Sequence, residues 1–416
     1  MIRAELLVRD LAEVATLARG AVPRVGAAMG EISRLPEGAI AVDGGRVVWV
    51  GPERRLGREV RLRPGGRTVL GEGGTAVPGF VDAHTHVLFA GDRSAELPLR
   101  VAGATYTEIA RRGGGLFSTV RATRRATDAT LLEETAARLR RMAASGTTSV
   151  EVKSGYALDH AGELRLLRLV PRLARRTGLR LVPTYLGAHA VAPEYEGRAD
   201  AYVRAIVRRT LPAVARGRLA RFCDVFCEPG FFTVPQSERI LRAARALGLG
   251  TKVHADEFVA SGGARLAARL RARSADHLLA TPERDRRLLA AAGVVAVVLP
   301  LTALASPARR SPARELVDAG APVALGSDCS PNTWVEEMPG VLAAAVHAGR
   351  LTPAEALSAA TVNAAHAVGL SDAGTIEVGR PADVAVFPFP SADALGYRFN
   401  ARPSVVLRQG KPVSPP

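Results

Sequence analysis

Lysine is nearly absent from this 416-residue chain: 53 of its 56 basic residues are arginine, and the lysines are Lys153, Lys252 and Lys411. The formal charge of +16 by itself suggests acidic partners. The arginines are scattered through helical stretches, as at Arg165, Arg168, Arg172, Arg175 and Arg176, with no aromatic-interleaved basic run and no nucleic-acid motif. No nucleic-acid partner is expected. Cysteine is scarce as well. Cys223, Cys227 and Cys329 are too few and too poorly spaced for a disulfide framework, which fits a reducing cytoplasm. Long apolar runs are missing, and the first apolar stretch contains Asp10 and Glu13. Neither a membrane span nor a signal peptide is expected.

The apolar fraction of 47% supports a large buried core, and the length suits one large domain with a smaller one. Eight strand-like runs alternate with Arg/Ala/Leu-rich helical segments: 77–84, 147–153, 180–186, 222–228, 251–255, 274–278, 294–299 and 322–328. Most are near-continuous apolar stretches, as parallel strands covered on both faces require. Eight strand–helix units predict a (β/α)8 barrel over residues 76–370. The ends differ. Residues 39–50, 374–387 and 404–407 alternate in hairpin fashion with turn residues between. Segments 1–75 and 371–416 are therefore expected to form one small flanking β-domain from both termini.

Polar residues gather where such a barrel places its chemistry, at the C-terminal ends of the strands. His84 and His86 close the first run, Lys153 the second and Glu228 the fourth. His254, His277 and Asp328 close the fifth, sixth and eighth, and His189 follows the third. A lone His-x-His is more often core packing than a ligand pair. On a strand, however, residues i and i+2 point the same way, and the later strand ends supply partners. Three imidazoles and a carboxylate, from His84, His86, His254 and Asp328, can hold one divalent ion. Zinc suits that set, and iron(II) or manganese can substitute. Such an ion lowers the pKa of its water and polarises a carbonyl oxygen.

Glu257, three residues beyond His254, is the candidate general acid/base. The plainer reading is a loop carboxylate. His277 can stabilise an oxyanion or move protons, with Asp276 orienting its ring or capping a helix. Asp328 can share the proton work. Arg93 is a candidate fork for a substrate carboxylate. Lys153 is open to two readings: a carbamylated bridge between two metals, or an ion-pair partner of Glu151 or of a substrate carboxylate. Gly113-Gly114-Gly115 is a lid or a plain turn. His160, His347 and His366 lie in helical or loop context and receive no role.

The stretch Pro78-Gly-Phe-Val-Asp-Ala-His-Thr-His86, the later His254 and Ser327-Asp328, and the tail Gly374-x-Ile-x-x-Gly379-x-x-Ala-Asp383 resemble the amidohydrolase superfamily of metal-dependent barrels. More specific marks are Phe89–Glu96, Gly113–Thr123, Glu151–Tyr156, Tyr185–His189, Asp224–Glu228 and Val253–Glu257. They are similar to the members that act in histidine degradation. That resemblance implies metal-dependent hydrolysis of the cyclic amide 4-imidazolone-5-propanoate to N-formimidoyl-L-glutamate. Another cyclic amidohydrolase or a heterocycle deaminase is the alternative. It implies one zinc or iron on His84, His86, His254 and Asp328, and substrate contacts from Arg93, Tyr156, His189 and Glu257. It also implies a homodimer, and a lysine in the second strand that bridges no metals. One departure stands out. Where the resemblance leads one to expect Asn and Gly after the aspartate, this chain has Ser330 and Asn332, which do not inherit the usual substrate contacts.

Overall fold

The computed structural model describes residues 1–104, 108–109, 112–305 and 310–413. Eight parallel strands lie side by side in chain order: β1 Phe80–Asp82, β2 Thr147–Lys153, β3 Arg180–Ala188, β4 Phe222–Cys227, β5 Gly250–Ala255, β6 Ser274–His277, β7 Val295–Val298 and β8 Val323–Leu325. The sheet closes on itself. Ala83 N–H donates to Leu325 O (3.3 Å), Asp328 N–H to His84 O (3.0 Å) and His86 N–H to Cys329 O (3.0 Å). A parallel bridge joins Thr85 to Cys329. Helices such as Asp128–Ala144, His160–Thr177 and Val234–Ala246 return the chain between strands. This is the expected (β/α)8 barrel.

Side chains sort by strand parity. In β2, Val150 and Val152 pack outward with Leu139, Leu166 and Leu173 of the covering helices. Their neighbours Glu151 and Lys153 belong to the opposite, inward face. All of β2 is buried, so its inner face places a charged cluster in the upper barrel where branched apolar residues are usual.

A second sheet flanks the barrel and joins both ends of the chain. Its order is 411–412, 405–408, 384–387, 60–78, 2–15, 38–43 and 46–52, with 34–36 paired to 2–15. Val384–Phe387 runs antiparallel to 75–78. The first barrel strand is shorter than the apolar run 77–84 predicts, because Val77 and Pro78 finish a flanking-sheet strand. Gly79 separates the two sheets. A Cβ there would lie 2.3 Å from the Thr148 side chain, so the junction admits only glycine.

Candidate active site

The strand ends bring the polar residues to one mouth. Thr85 pairs in extended geometry with Cys329, so His84 and His86 turn to the same side. His254 comes from β5. Nε2 of His86 lies 3.2 Å from Nε2 of His84 and 3.2 Å from Nε2 of His254. Asp328 Oδ1 lies 3.6 Å from Nε2 of both His84 and His86.

These distances fit an ion. Zinc–nitrogen bonds of 2.0–2.1 Å at tetrahedral angles put the nitrogens about 3.3 Å apart. Proton placement fits too. His84 Nδ1 lies 2.6 Å from Asp276 Oδ2, and His254 Nδ1 lies 2.9 Å from Asp224 Oδ2. With Nδ1 of His84 bonded to Asp276 and Nδ1 of His254 beside Asp224, both rings are placed to turn Nε2 lone pairs toward His86. Converging lone pairs in a dry cavity repel unless a cation lies between them. Burial holds His84 and His86 well below the ordinary imidazole pKa, helped by Lys153 for His84 and by His189 for His86. Both are therefore neutral, the form that binds metal. His84, His86 and His254 form a buried group that could hold a metal ion.

A pocket opens over this cluster. It brings together His86, His254 and Asp328 with Arg93, Tyr156, His189, Glu257 and His277. His84 is completely buried and is absent from the pocket lining. Arg93 donates through Nε and Nη2 to Glu96 Oε2 (2.9 and 2.7 Å), and Glu96 Oε1 accepts from Gly115 N–H at 2.7 Å. This ties the glycine run to the pocket wall. His189 stacks on His86 with ring centroids 4.8 Å apart. Burial pushes its pKa down to about 3, with nearby His254 adding to the shift.

Glu257 is held by its loop. Glu228 accepts from the backbone N–H groups of Glu257, Phe258 and Val259 at 3.1, 3.2 and 2.8 Å. Burial, with Asp328 and Glu228 adding repulsion, pushes the Glu257 carboxyl well above its usual range, which favours its protonated form. Its Oε2 lies 3.7 Å from His277 Nε2. Burial likewise lifts Asp328 to about 6, while Thr302 Oγ1 donates to Asp328 Oδ2 at 2.9 Å. Asp256, His277, Leu278 and Asp328 all have left-handed backbones (φ 51°, 75°, 64° and 55°). Strained non-glycine residues beside a pocket mark places where function sets the geometry.

One reading changes. Asp276 does not orient His277, because its carboxylate bonds His84. Residues 274 and 276 share the inward face of β6, whereas His277, at the strand end, lines the pocket. Lys153 is paired on the structural side of its two readings: its Nζ lies 2.7 Å from Asp224 and 2.9 Å from Glu151. Ser330 and Asn332 do line the pocket, and Ser330 Oγ accepts from Thr333 N–H at 3.1 Å. Phe226, Phe231 and Phe258 also line it, and Thr302 braces Asp328. Sequence reasoning gave none of these four a role. His160 and His366 contact Thr210 and Arg273, and His347 stacks on Phe399; none of the three lines this pocket.

A barrel whose mouth gathers imidazoles and carboxylates in this way defines a hydrolase of the metal-dependent kind, and the chain belongs to the amidohydrolase family, whose model matches residues 75–413. Within that family its relatives are imidazolonepropionases. The one from Symbiobacterium thermophilum is 49% identical over 402 residues, covering 95% of this chain and 93% of that protein. The one from Geobacillus kaustophilus is 41% identical over 414 residues, covering 98% and 97%. Among solved structures, a zinc-bound adenosine deaminase from Xanthomonas campestris superimposes with a TM-score of 0.71 at 22% identity, covering 99% of this chain and 93% of that one. A zinc complex of atrazine chlorohydrolase from Arthrobacter aurescens gives 0.67 at 18% identity, covering 98% and 94%. These two likenesses concern the fold. No helix among the described residues is long and apolar enough to cross a membrane.

Proposed function

We propose that the chain opens the ring of 4-imidazolone-5-propanoate by adding water across the ring amide, giving N-formimidoyl-L-glutamate. The observation that carries this reading is the meeting of a cluster able to hold an ion, the Glu257 carboxyl and the Arg93 guanidinium around one pocket. High identity to imidazolonepropionases over nearly the whole chain supports the substrate. His84, His86, His254 and Asp328 are the residues that would hold one zinc or iron(II) ion. When bound there, such an ion acidifies water and polarises the carbonyl.

The chain's own groups do the rest. Arg93, fixed in plane by Glu96, receives the propionate. Tyr156 and His189 bound the ring. His277, held neutral by burial, supports the oxygen on which negative charge develops. Asp328 accepts a proton from the attacking water, and Glu257 protonates the ring nitrogen as its bond to the carbonyl carbon breaks. Three free, buried thiols, Cys223, Cys227 and Cys329, suit a reducing cytoplasm. A homodimer belongs to the same proposal, and light scattering that returns the mass of one chain would remove it.

The test is direct. Fresh imidazolone propionate is supplied, its loss is followed, and the product mass is read. Gain of one water without ammonia is the expected result. Ammonia release points to a deaminase instead, and no reaction alongside turnover of another heterocycle overturns the substrate. A second expectation concerns Arg93. Arg93→Lys keeps the charge and loses the two-pronged geometry, so KM is expected to rise about tenfold or more with kcat less affected. Tenfold corresponds to about 1.4 kcal/mol, within the range of a charge-assisted hydrogen bond. An unchanged KM would take Arg93 off the propionate.

A further inference from the structure

We infer that Lys153 fills a second cation site with its own ammonium group and thereby holds this centre to a single divalent ion. The inference rests on the reading of His84, His86, His254 and Asp328 as the ligands of one ion. Lys153 Nζ lies 2.7 Å from Asp224 Oδ2, 2.9 Å from Glu151 Oε2 and 3.4 Å from Asp276 Oδ2, and all four side chains are completely buried. Independently of the lysine, His84, Glu151 and Asp276 offer ligand atoms lying within 4.8 Å of one another, a grouping of metal-site size. The ammonium therefore sits among donors that could grip an ion.

Charge explains why something must sit there. Glu151, Asp224 and Asp276 carry three negative charges into a dry interior. Lys252 answers one of them: its Nζ lies 2.7 Å from Glu151 Oε1 and donates to Ala83 O at 3.2 Å. Lys252 thus engages the far oxygen of Glu151, and its charge also acts on Asp276. Lys153 answers a second negative charge. Without it the cage carries a net charge of two minus, the charge a divalent ion neutralises. Its donors would be mostly carboxylate oxygens, which suit manganese as well as zinc. Lys153 also touches both carboxylates that orient the ligand rings, Asp276 behind His84 and Asp224 behind His254. An ammonium does this with directional N–H bonds and leaves no open coordination position.

The test is a metal count. Wild-type protein and Lys153→Ala are dialysed against manganese or zinc, checked for native circular dichroism, and assayed for metal per chain by mass spectrometry. One ion in the wild type and two in Lys153→Ala are expected. Adding Glu151→Gln to Lys153→Ala, which removes one cage charge without touching an imidazole, should return the count to one. Folded Lys153→Ala that still takes one ion overturns the inference. If that variant is recovered unfolded, refolding on addition of millimolar manganese supports the inference, and failure to refold with either ion overturns it. A wild type that takes no ion at all would instead overturn the reading of the four ligands, so the two failures are distinct.

Discussion

Replacing Glu257 by glutamine is expected to lower kcat by about 10²–10⁴-fold while metal content stays at the wild-type level. Positioned general acids contribute about that much, which corresponds to roughly 3–5.5 kcal/mol of barrier. The size follows from the environment. Glu257 is half-buried, repelled by Asp328 and Glu228, and fixed by three backbone N–H bonds that Glu228 accepts from its loop. Glutamine keeps that shape and cannot release a proton to the departing ring nitrogen. Turnover and metal analysis on the same preparation decide the matter. Near-normal kcat would remove Glu257 from the chemistry, whereas lost metal would show that its role is structural.

His86→Ala should have a comparable effect by another route. This ring stands between its partners, 3.2 Å from both His84 and His254, so its loss removes the middle donor. Losing a group that merely orients a ligand weakens metal binding by about 10–100-fold, and losing the ligand itself should cost more. The variant is expected to come through dialysis without metal and without turnover. Wild-type metal content in folded His86→Ala would show that the ion, if any, sits elsewhere. The stacking of His189 on His86 means the substrate wall also shifts, so added metal is expected to restore activity only in part.

How much of this could be read beforehand depended on the kind of residue. The barrel was legible because parallel strands covered on both sides leave unbroken apolar runs. The first strand was misjudged in length since Val77 and Val81 are equally apolar, although they serve different sheets. The strand-end histidines and Asp328 were legible from placement alone. Tyr156 stands a few residues beyond its strand end, where placement says little, and only family likeness pointed to it; placement brought His189 to the mouth, and family likeness alone gave it a substrate contact. Phe226, Phe231 and Phe258 carry no spacing signature, and neither does Thr302. Asp276 was misdirected by adjacency to His277, yet strand parity with Ser274 already separated the two. Asp224 lies on the same parity as Phe226 in β4, which was the available signal for its inward carboxylate.

The strand 60–78 stops where Gly79 begins, and five residues after Gly79 the chain reaches His84. Gly79 N–H donates to Asp383 O at 2.9 Å, and the C-terminal strand Val384–Phe387 runs alongside 75–78. The histidine pair is therefore moored at its root by the far end of the polypeptide. Proteolytic trimming of the tail, though remote from the cavity, would slacken the very backbone from which both imidazoles project, and the grip on the cation would suffer before the barrel itself came apart.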